Sequence, residues 1–456
     1  MSFIIENVTV PPPPNLPLAP GGYDSRYQEQ FNNVLRLYFN RLDAILRAIV
    51  TTPSPIPISI GGTNTDAFGR LRVSQPYTLF DSQNRYAADN QFDVSTTGTG
   101  TTTFLSNEAA VKMEVTGAGV GSVLRQSYRS FPYQPGKGLL VLATFVMDSS
   151  MSLNLTQRVG YYNDQNGVFF QRIDGTFSFV LRSYVTGSVS NVRTVNQSDW
   201  NGDKLDGTGD SGYTLDPTKA QILWMDFEWL GVGSVRCGFI INGQYIVCHT
   251  FNNANLITNV YMTTAILPVR YEIVTTGSAV AASMKSICCS VVSEGGFEQT
   301  SIDHVARRTT ILGTIGTTFL PLVSIRLASG RTGAVVLPNR VQVLPTTSQN
   351  YEVALVKNPN LTGATWAATV PSDSNVEYDV AATAMTGGTI VQTDYVTSSG
   401  SGGVQNTSLP NDYNFDLQLG ASIAGVSDIY TVAIRTVSGA TTGDAVGSLS
   451  FYDLTQ

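Results

Sequence analysis

The chain has 456 residues, of which 13% are charged, and a formal net charge of −7. That is about half the usual charged share of roughly 25%, and no cluster of Lys and Arg stands out to neutralise phosphates, so a nucleic-acid partner is not expected. The length allows two or three domains, each with its own core, and no apolar run approaches the roughly 20 residues of a spanning helix, so membrane insertion is not expected.

Residues 1–22 read as a proline-rich arm. Pro11 to Pro14 favour an extended path and cannot donate to a sheet ladder, which suits either docking into a groove on another subunit or a loose terminus. The start, MSFIIENVTVPPPP, lacks the basic stretch and apolar core of a secretory signal, so synthesis in a cytoplasm is expected. Residues 23–52 predict a helix, opened by a capping box of Ser25 and Gln28 and closed before Pro53 and Pro55. Along it Phe31, Leu35, Tyr38, Leu42, Ile45 and Ile49 follow at alternating spacings of four and three, the seam that identical helices bury against one another. The run is short for an isolated coiled coil, so help from other parts of an oligomer is expected, a trimer being the preferred state. Phe39 and Leu46 fall outside the seam and keep open the alternative that the helix packs on its own β domain.

Residues 53–80 read as a linker and clamp. Arg70 and Arg72 alternate with Leu71 and Val73, which gives a short strand one basic and one apolar face. Residues 81–300 predict a large antiparallel sandwich. Leu139 to Met147 is nearly all apolar and short enough for a central buried strand. Asp174-Gly175 and Asn242-Gly243 are two-residue hairpin turns. Counted back from them, Phe170 faces Phe179 as an aromatic pair, and Cys237 faces Cys248. A hydrogen-bonded pair sets Cα atoms about 5.5 Å apart, which does not forbid a disulfide, but free thiols are expected in a cytoplasm. Long strands with tight turns at this size favour a concanavalin-like jelly roll. Residues 301–456 predict a second, compact β-sandwich. Val323, Ile325 and Leu327, and likewise Tyr430, Val432 and Ile434, recur at alternate positions as strands with one buried face. The stretch Thr397 to Gly403 reads as a mobile loop. The expected fold class is therefore mainly β, with an extended arm and a short coiled-coil helix leading a jelly roll and a carboxyl-terminal sandwich.

Chemistry is sparse. In the stretch WMDFEW, alternation sends Trp224, Asp226 and Glu228 to one sheet face and Met225, Phe227 and Trp229 to the other, the core. The first set resembles the strand motif of laminarinase-type glycosidases, in which a glutamate, an aspartate and a second glutamate alternate on this same fold. Here Trp224 stands at the position of the nucleophile, and retaining hydrolysis needs two carboxylates across the bond. What the resemblance leaves is a binding platform: an exposed Trp224 stacking on a sugar while Asp226 and Glu228 accept hydroxyl hydrogen bonds. An ordinary strand with polar outward residues is the plainer reading. Asp199, Asp203, Asp206 and Asp210 crowd one glycine-rich loop without EF-hand spacing, so a solvated turn competes with a calcium site. GDSG at Gly209 to Gly212 echoes a trypsin-like serine loop, but His249 and His304 both follow it in the chain. Two histidines and no Cys-x-x-Cys argue against zinc, and no cofactor is expected.

The stretches GGYDSRYQEQFNNVLRLYFNRLDAILRAI, GGTNTDAFGRLRVSQPYTLFDSQNRY and LDGTGDSGYTLDPTKAQILWMDFEWLGVGSVRCGFIINGQYIVCHTFNNAN resemble virion structural proteins of tailed phages, particularly marine and cyanobacterial ones. The resemblance spans residues 20–300 and brings no catalytic residues. It implies a virion protein assembled in the host cytoplasm and is silent on position within the particle; together with the helix seam, the reading is a homotrimeric tail or neck fibre. Its partners would be its own copies, other virion proteins and a host-surface glycan. A capsid-decorating or baseplate component, or a glycan depolymerase, are the alternatives.

Overall fold

The computed structural model describes residues 21–22, 24–51, 65–66, 70, 75–117, 119–148, 153–277, 281–298, 301–368, 374–397, 405–408, 415–437 and 442–455, with helix side chains as far as Leu42. The expected arm up to Pro20, the Leu71, Arg72 and Val73 part of the clamp strand and most of the Thr397–Gly403 loop lie outside them. The chain forms two compact units, residues 1–60 and 61–456.

The first unit carries one helix, Ser25–Thr51. The Asp24 carboxylate caps it: Oδ1 accepts from the Arg26 N–H at 2.8 Å, and the Asp24 carbonyl accepts the Gln28 N–H at 3.1 Å. The expected box of Ser25 and Gln28 is thus displaced by one residue. An aspartate at this position both accepts an orphan N–H and adds favourable charge at the positive end of the helix, and Gln28 turns instead toward Asn32. The helix stops two residues ahead of Pro53, as the steric conflict before proline requires. In the seam Phe31, Leu35, Tyr38 and Leu42 are each only partly buried, while the side chains of Ile45 and Ile49 lie outside the described residues. Off the seam, Leu37 and Phe39 are 61% and 60% exposed.

The second unit holds two antiparallel sandwiches. In the first, one sheet runs in the order Gln244–Phe251, Val235–Ile241, Gln221–Phe227, Leu139–Met147, Ala282–Ser293, Ala110–Val115 and Gly100–Leu105. Tyr77–Gln83 also pairs with Ala282–Ser293, so the sandwich begins ahead of position 81. The facing sheet runs Ser190–Asn196, Thr176–Ser183, Gly167–Ile173, Leu155–Tyr162, Val269–Thr275, Gly121–Ser127 and Phe92–Gly98. This is the expected jelly-roll architecture, with Leu139–Met147 at the centre of its sheet.

Both hairpin turns form. Asp174 and Gly175 adopt φ of 50° and 85°, Asn242 and Gly243 of 50° and 76°, the left-handed pairs that match strand twist. Phe170 faces Phe179 with ring centroids 5.6 Å apart in the core. The expected pairing of Cys237 with Cys248 is corrected: a β-bulge after Cys237 shifts the register, so Cys237 faces His249. All four cysteines are free.

The carboxyl-terminal sandwich packs a sheet of Asp303–Ile315, Gly443–Asp453, Val336–Pro345 and Gln405–Ser408 with a sheet centred on Leu320–Leu327, Ile429–Thr436 and Asn350–Lys357. The expectation of one buried face per strand fails here. Ser324, Thr431 and Ala433 are as fully buried as Ile325 and Val432. A two-stranded ribbon, Asn360–Thr362 with Ala384–Thr386, accompanies this sheet, and its Met385 packs with Phe319 on Ala354, Val356 and Ala433. The hydroxyls of Ser324 and Thr431 satisfy each other at 2.8 Å, as burial demands.

The sandwiches are fused. Phe415 inserts beside Tyr77 and Phe297, at 5.9 and 5.0 Å between centroids, and belongs to the jelly-roll core. Arg129 reaches from the jelly roll to the Phe415 carbonyl, and Gln418 donates to the Ser130 carbonyl at 2.7 Å.

Candidate functional site

The strand Gln221–Phe227 lies between Val235–Ile241 and Leu139–Met147, and it turns Leu223, Met225 and Phe227 into the core. Trp224 and Asp226 therefore point to the outer face, with Glu228 just past the strand. The structure brings these three residues together in chain order but does not expose them: each has 0% accessible surface. The open platform expected of Trp224 is corrected in this respect. Its indole N–H donates to the Ile246 carbonyl at 3.2 Å, and the ring meets Tyr245 edge-on at 5.5 Å. Gly238, directly across the strand pair, has no side chain to displace the indole.

Both acids are sealed by arginines. Asp226 pairs with Arg236 on the neighbouring strand, and Arg236 also donates to the Thr65 carbonyl. Glu228 pairs with Arg70. Arg70 is itself held by Asp66, with its Nε 2.6 Å from Asp66 Oδ2 and its N–H 2.9 Å from Asp66 Oδ1. Arg70 also donates to the Gly136 carbonyl, so Thr65, Asp66 and Arg70 are strapped across the outer face of the jelly roll. Each carboxylate is thus taken up by a guanidinium and withdrawn from the surface, where a substrate would have to meet it. Arg70 thus holds this stretch to the jelly roll itself, and the rest of the expected strand, Leu71, Arg72 and Val73, lies outside the described residues.

The other motifs resolve into structure. In the aspartate loop, burial works against ionisation of Asp203, yet the N–H groups of Leu205 and Ser211, each 2.8 Å from a carboxylate oxygen, hold its carboxyl below the usual range. Asp206 accepts both the hydroxyl and the N–H of Thr208, which lowers its carboxyl likewise. Among the described residues no three His, Cys, Asp or Glu side chains could share a metal ion. Ser211 of GDSG is engaged by this same loop. His249 is 7% exposed and accepts the Asn201 N–H through Nδ1 at 3.3 Å. Burial, then the nearby Arg193 charge, push its imidazole down to about 4.

On the outer face of the second sheet, Tyr162, Phe169 and Val180 form a buried cluster. Arg182 lies 4.9 Å from the centroid of Phe169, and Arg158 bonds Glu272 at 2.8 Å while the Tyr162 hydroxyl donates to the same carboxylate at 3.2 Å. This is a roof of guanidinium groups over aromatic rings, in which Arg158 is paired with Glu272 and Arg182 bonds the Asn191 side chain and the Asn163 carbonyl.

A different concentration of chemistry sits at the rim of the sandwich, and sequence reasoning missed it. A groove of about 360 Å³ opens between the hairpin ending at Leu181 and Ser183, the edge-strand residues Ser190 and Arg193, and the loop Leu256 to Tyr261. Asn253, fully buried, fixes that loop: its side chain donates to the Gly233 carbonyl at 2.5 Å and accepts from Arg193. Nothing in the sequence links Arg193 with Tyr261, because they meet only through the closure of two different sheets.

No family model and no curated protein matches the sequence. Solved structures with a similar arrangement include the carbohydrate recognition domain of Emp46p, at 9% identity over 49% of this chain and 100% of that one, with a TM-score of 0.30. A structure titled for endo-acting O-glycanases of the human gut microbiota has 11% identity over 48% of this chain and 99% of that one, TM-score 0.32. A glycosyl hydrolase family protein from Mycobacterium fortuitum has 9% identity over 47% and 99%, TM-score 0.30. At these identities and scores the likeness assigns neither ligand nor activity.

Proposed function

We propose that the chain is a multi-copy structural subunit of a phage virion, a homotrimeric tail or neck fibre that contacts glycan on a host surface and turns nothing over. The observation that carries this reading is the helix. It belongs to a compact unit of its own, and Phe31, Leu35, Tyr38 and Leu42, spaced as a heptad seam, remain partly open to solvent in a single chain. Burial of such a seam by sister helices removes apolar surface from water at about 25 cal/mol per Å². The closed ion pairs of Asp226 and Glu228 weigh against hydrolysis by these acids. The resemblance of residues 20–300 to virion structural proteins supplies the particle, and three copies of a weak sugar site give avidity that one lacks.

Sedimentation equilibrium of the intact chain tests the reading. A mass of three chains is expected, falling to one in the Leu35→Lys, Leu42→Lys double variant with both sandwiches still folded. A monomeric parent protein overturns it. Incubation with bacterial surface polysaccharide should release no reducing ends. Release that Glu228→Gln abolishes would replace the fibre reading with a depolymerase.

A further inference from the structure

The rim groove has the chemistry of a binding site for one anionic sugar. Its aliphatic wall, Leu181, Leu256, Ile257 and Val260, suits the C–H face of a ring, and Ser183, Ser190, Thr258 and Asn259 offer hydroxyl and amide groups along the same wall. Pockets for small ligands combine an apolar lining with a few placed polar groups in this way, and their volumes start at roughly 300 Å³.

Two buried polar groups point to the charge of the occupant. Tyr261 lines the groove, is 4% exposed, and its hydroxyl has no hydrogen-bond partner among the described residues. Buried hydroxyls are nearly always bonded, so this one is an unsatisfied donor in a residue that lines the groove. Burial holds the phenol well above its ordinary value of 10, which keeps it a neutral donor. Arg193 is half-buried, and its guanidinium bonds only amide oxygens, the Asn253 side chain and the Asn252 carbonyl. Among the described residues no carboxylate pairs with it. Its ring neighbour, Phe251 at 5.3 Å, stacks but cannot neutralise it. Burial lowers its affinity for the proton, the direction expected of a charge held partly out of water.

We propose that this groove binds a carboxylate-bearing monosaccharide unit, a uronic acid residue within a longer glycan. Its carboxylate lies against the Arg193 guanidinium, and a ring or glycosidic oxygen accepts from the Tyr261 hydroxyl. The proposal rests on the glycan-contact reading and narrows it to an acidic sugar at a stated place. One guanidinium matches one carboxylate, and the planar fork favours that geometry over a point charge. Polyphosphates are disfavoured, because the site has a single cation in a chain of net charge −7. The loop is already pinned by Asn253, whose carbonyl accepts the N–H groups of Leu256 and Ile257 at 3.0 and 3.2 Å, so little ordering opposes binding.

Saturation-transfer NMR titration of the intact chain with D-glucuronic acid and with D-glucose tests this. Glucuronate should bind at least tenfold more tightly than glucose. Arg193→Gln should erase that difference, and Tyr261→Phe should weaken glucuronate about fivefold, with the circular dichroism spectrum unchanged. Thr258→Trp, an exposed substitution that fills the groove, should abolish binding and covers the case in which Arg193→Gln fails to fold. Equal binding of the two sugars, or binding indifferent to Thr258→Trp, overturns the assignment. Printed neutral and uronate-containing oligosaccharides separate the two claims. If the parent chain binds printed glycans but Thr258→Trp binds them equally, the groove is wrong and glycan contact stands. If the parent binds none, both fall.

Discussion

Arg236 shows how one residue converts a motif from chemistry to architecture. Its guanidinium takes up the Asp226 carboxylate, and the pair lies on adjacent strands in direct register. Removing one partner leaves a buried charge unmatched, so Asp226→Asn should destabilise the jelly roll by about 3 kcal/mol. Replacing both, Asp226→Leu with Arg236→Met, should recover most of that loss, and a double-mutant cycle on urea midpoints measures the coupling. His249 predicts a pH effect. The unfolded imidazole takes up its proton near 6.5 and the native one only near 4. Its share of stability is therefore complete above 6.5 and is lost as the pH falls toward 4, on the order of 1–3 kcal/mol. His249→Asn should flatten the change in urea midpoint between pH 4.5 and 7 relative to the parent chain; an unaltered change would show that the imidazole is not the group responsible.

Elements here behaved as their local patterns predict wherever the signal was contained in one hairpin or one helix. Asp174-Gly175 and Asn242-Gly243 each needed only two residues able to adopt positive φ, and the Phe170–Phe179 pair followed from the first turn by counting. Counting failed at Cys237 because a bulge adds a residue to one strand, and the bulge adjoins Gly238, whose missing side chain leaves room for the Trp224 indole. Gly238→Val should force the Ile246 backbone and the indole apart, lowering the unfolding midpoint by several degrees for a cost above 2 kcal/mol. A neutral outcome in thermal denaturation would separate the glycine from the indole's burial. The cap at Asp24 differs from the expected one by a single position, the usual scale of error when several polar residues precede a helix.

The fused sandwiches are a property of the whole molecule. Phe415 is remote in sequence from Tyr77 and Phe297 yet completes their cluster, and Arg129 bonds its carbonyl. Calorimetry of the intact chain should show residues 75–455 unfolding in one transition. Phe415→Ala, at about 3–5 kcal/mol, should split it into two. Two transitions in the parent chain would mean the junction does not couple the cores. The amino-acid pattern alone determined the mainly β class, the helix, the tight turns and the central strand, because each depends on periodicity or on backbone freedom within a few residues. Only the tertiary structure decided that Trp224, Asp226 and Glu228 are sealed and that Arg193 and Tyr261 share a groove. The strap at Arg70 and the loop before Tyr261 are far in sequence from the strands they cover, and no local pattern records which surfaces chain closure brings together.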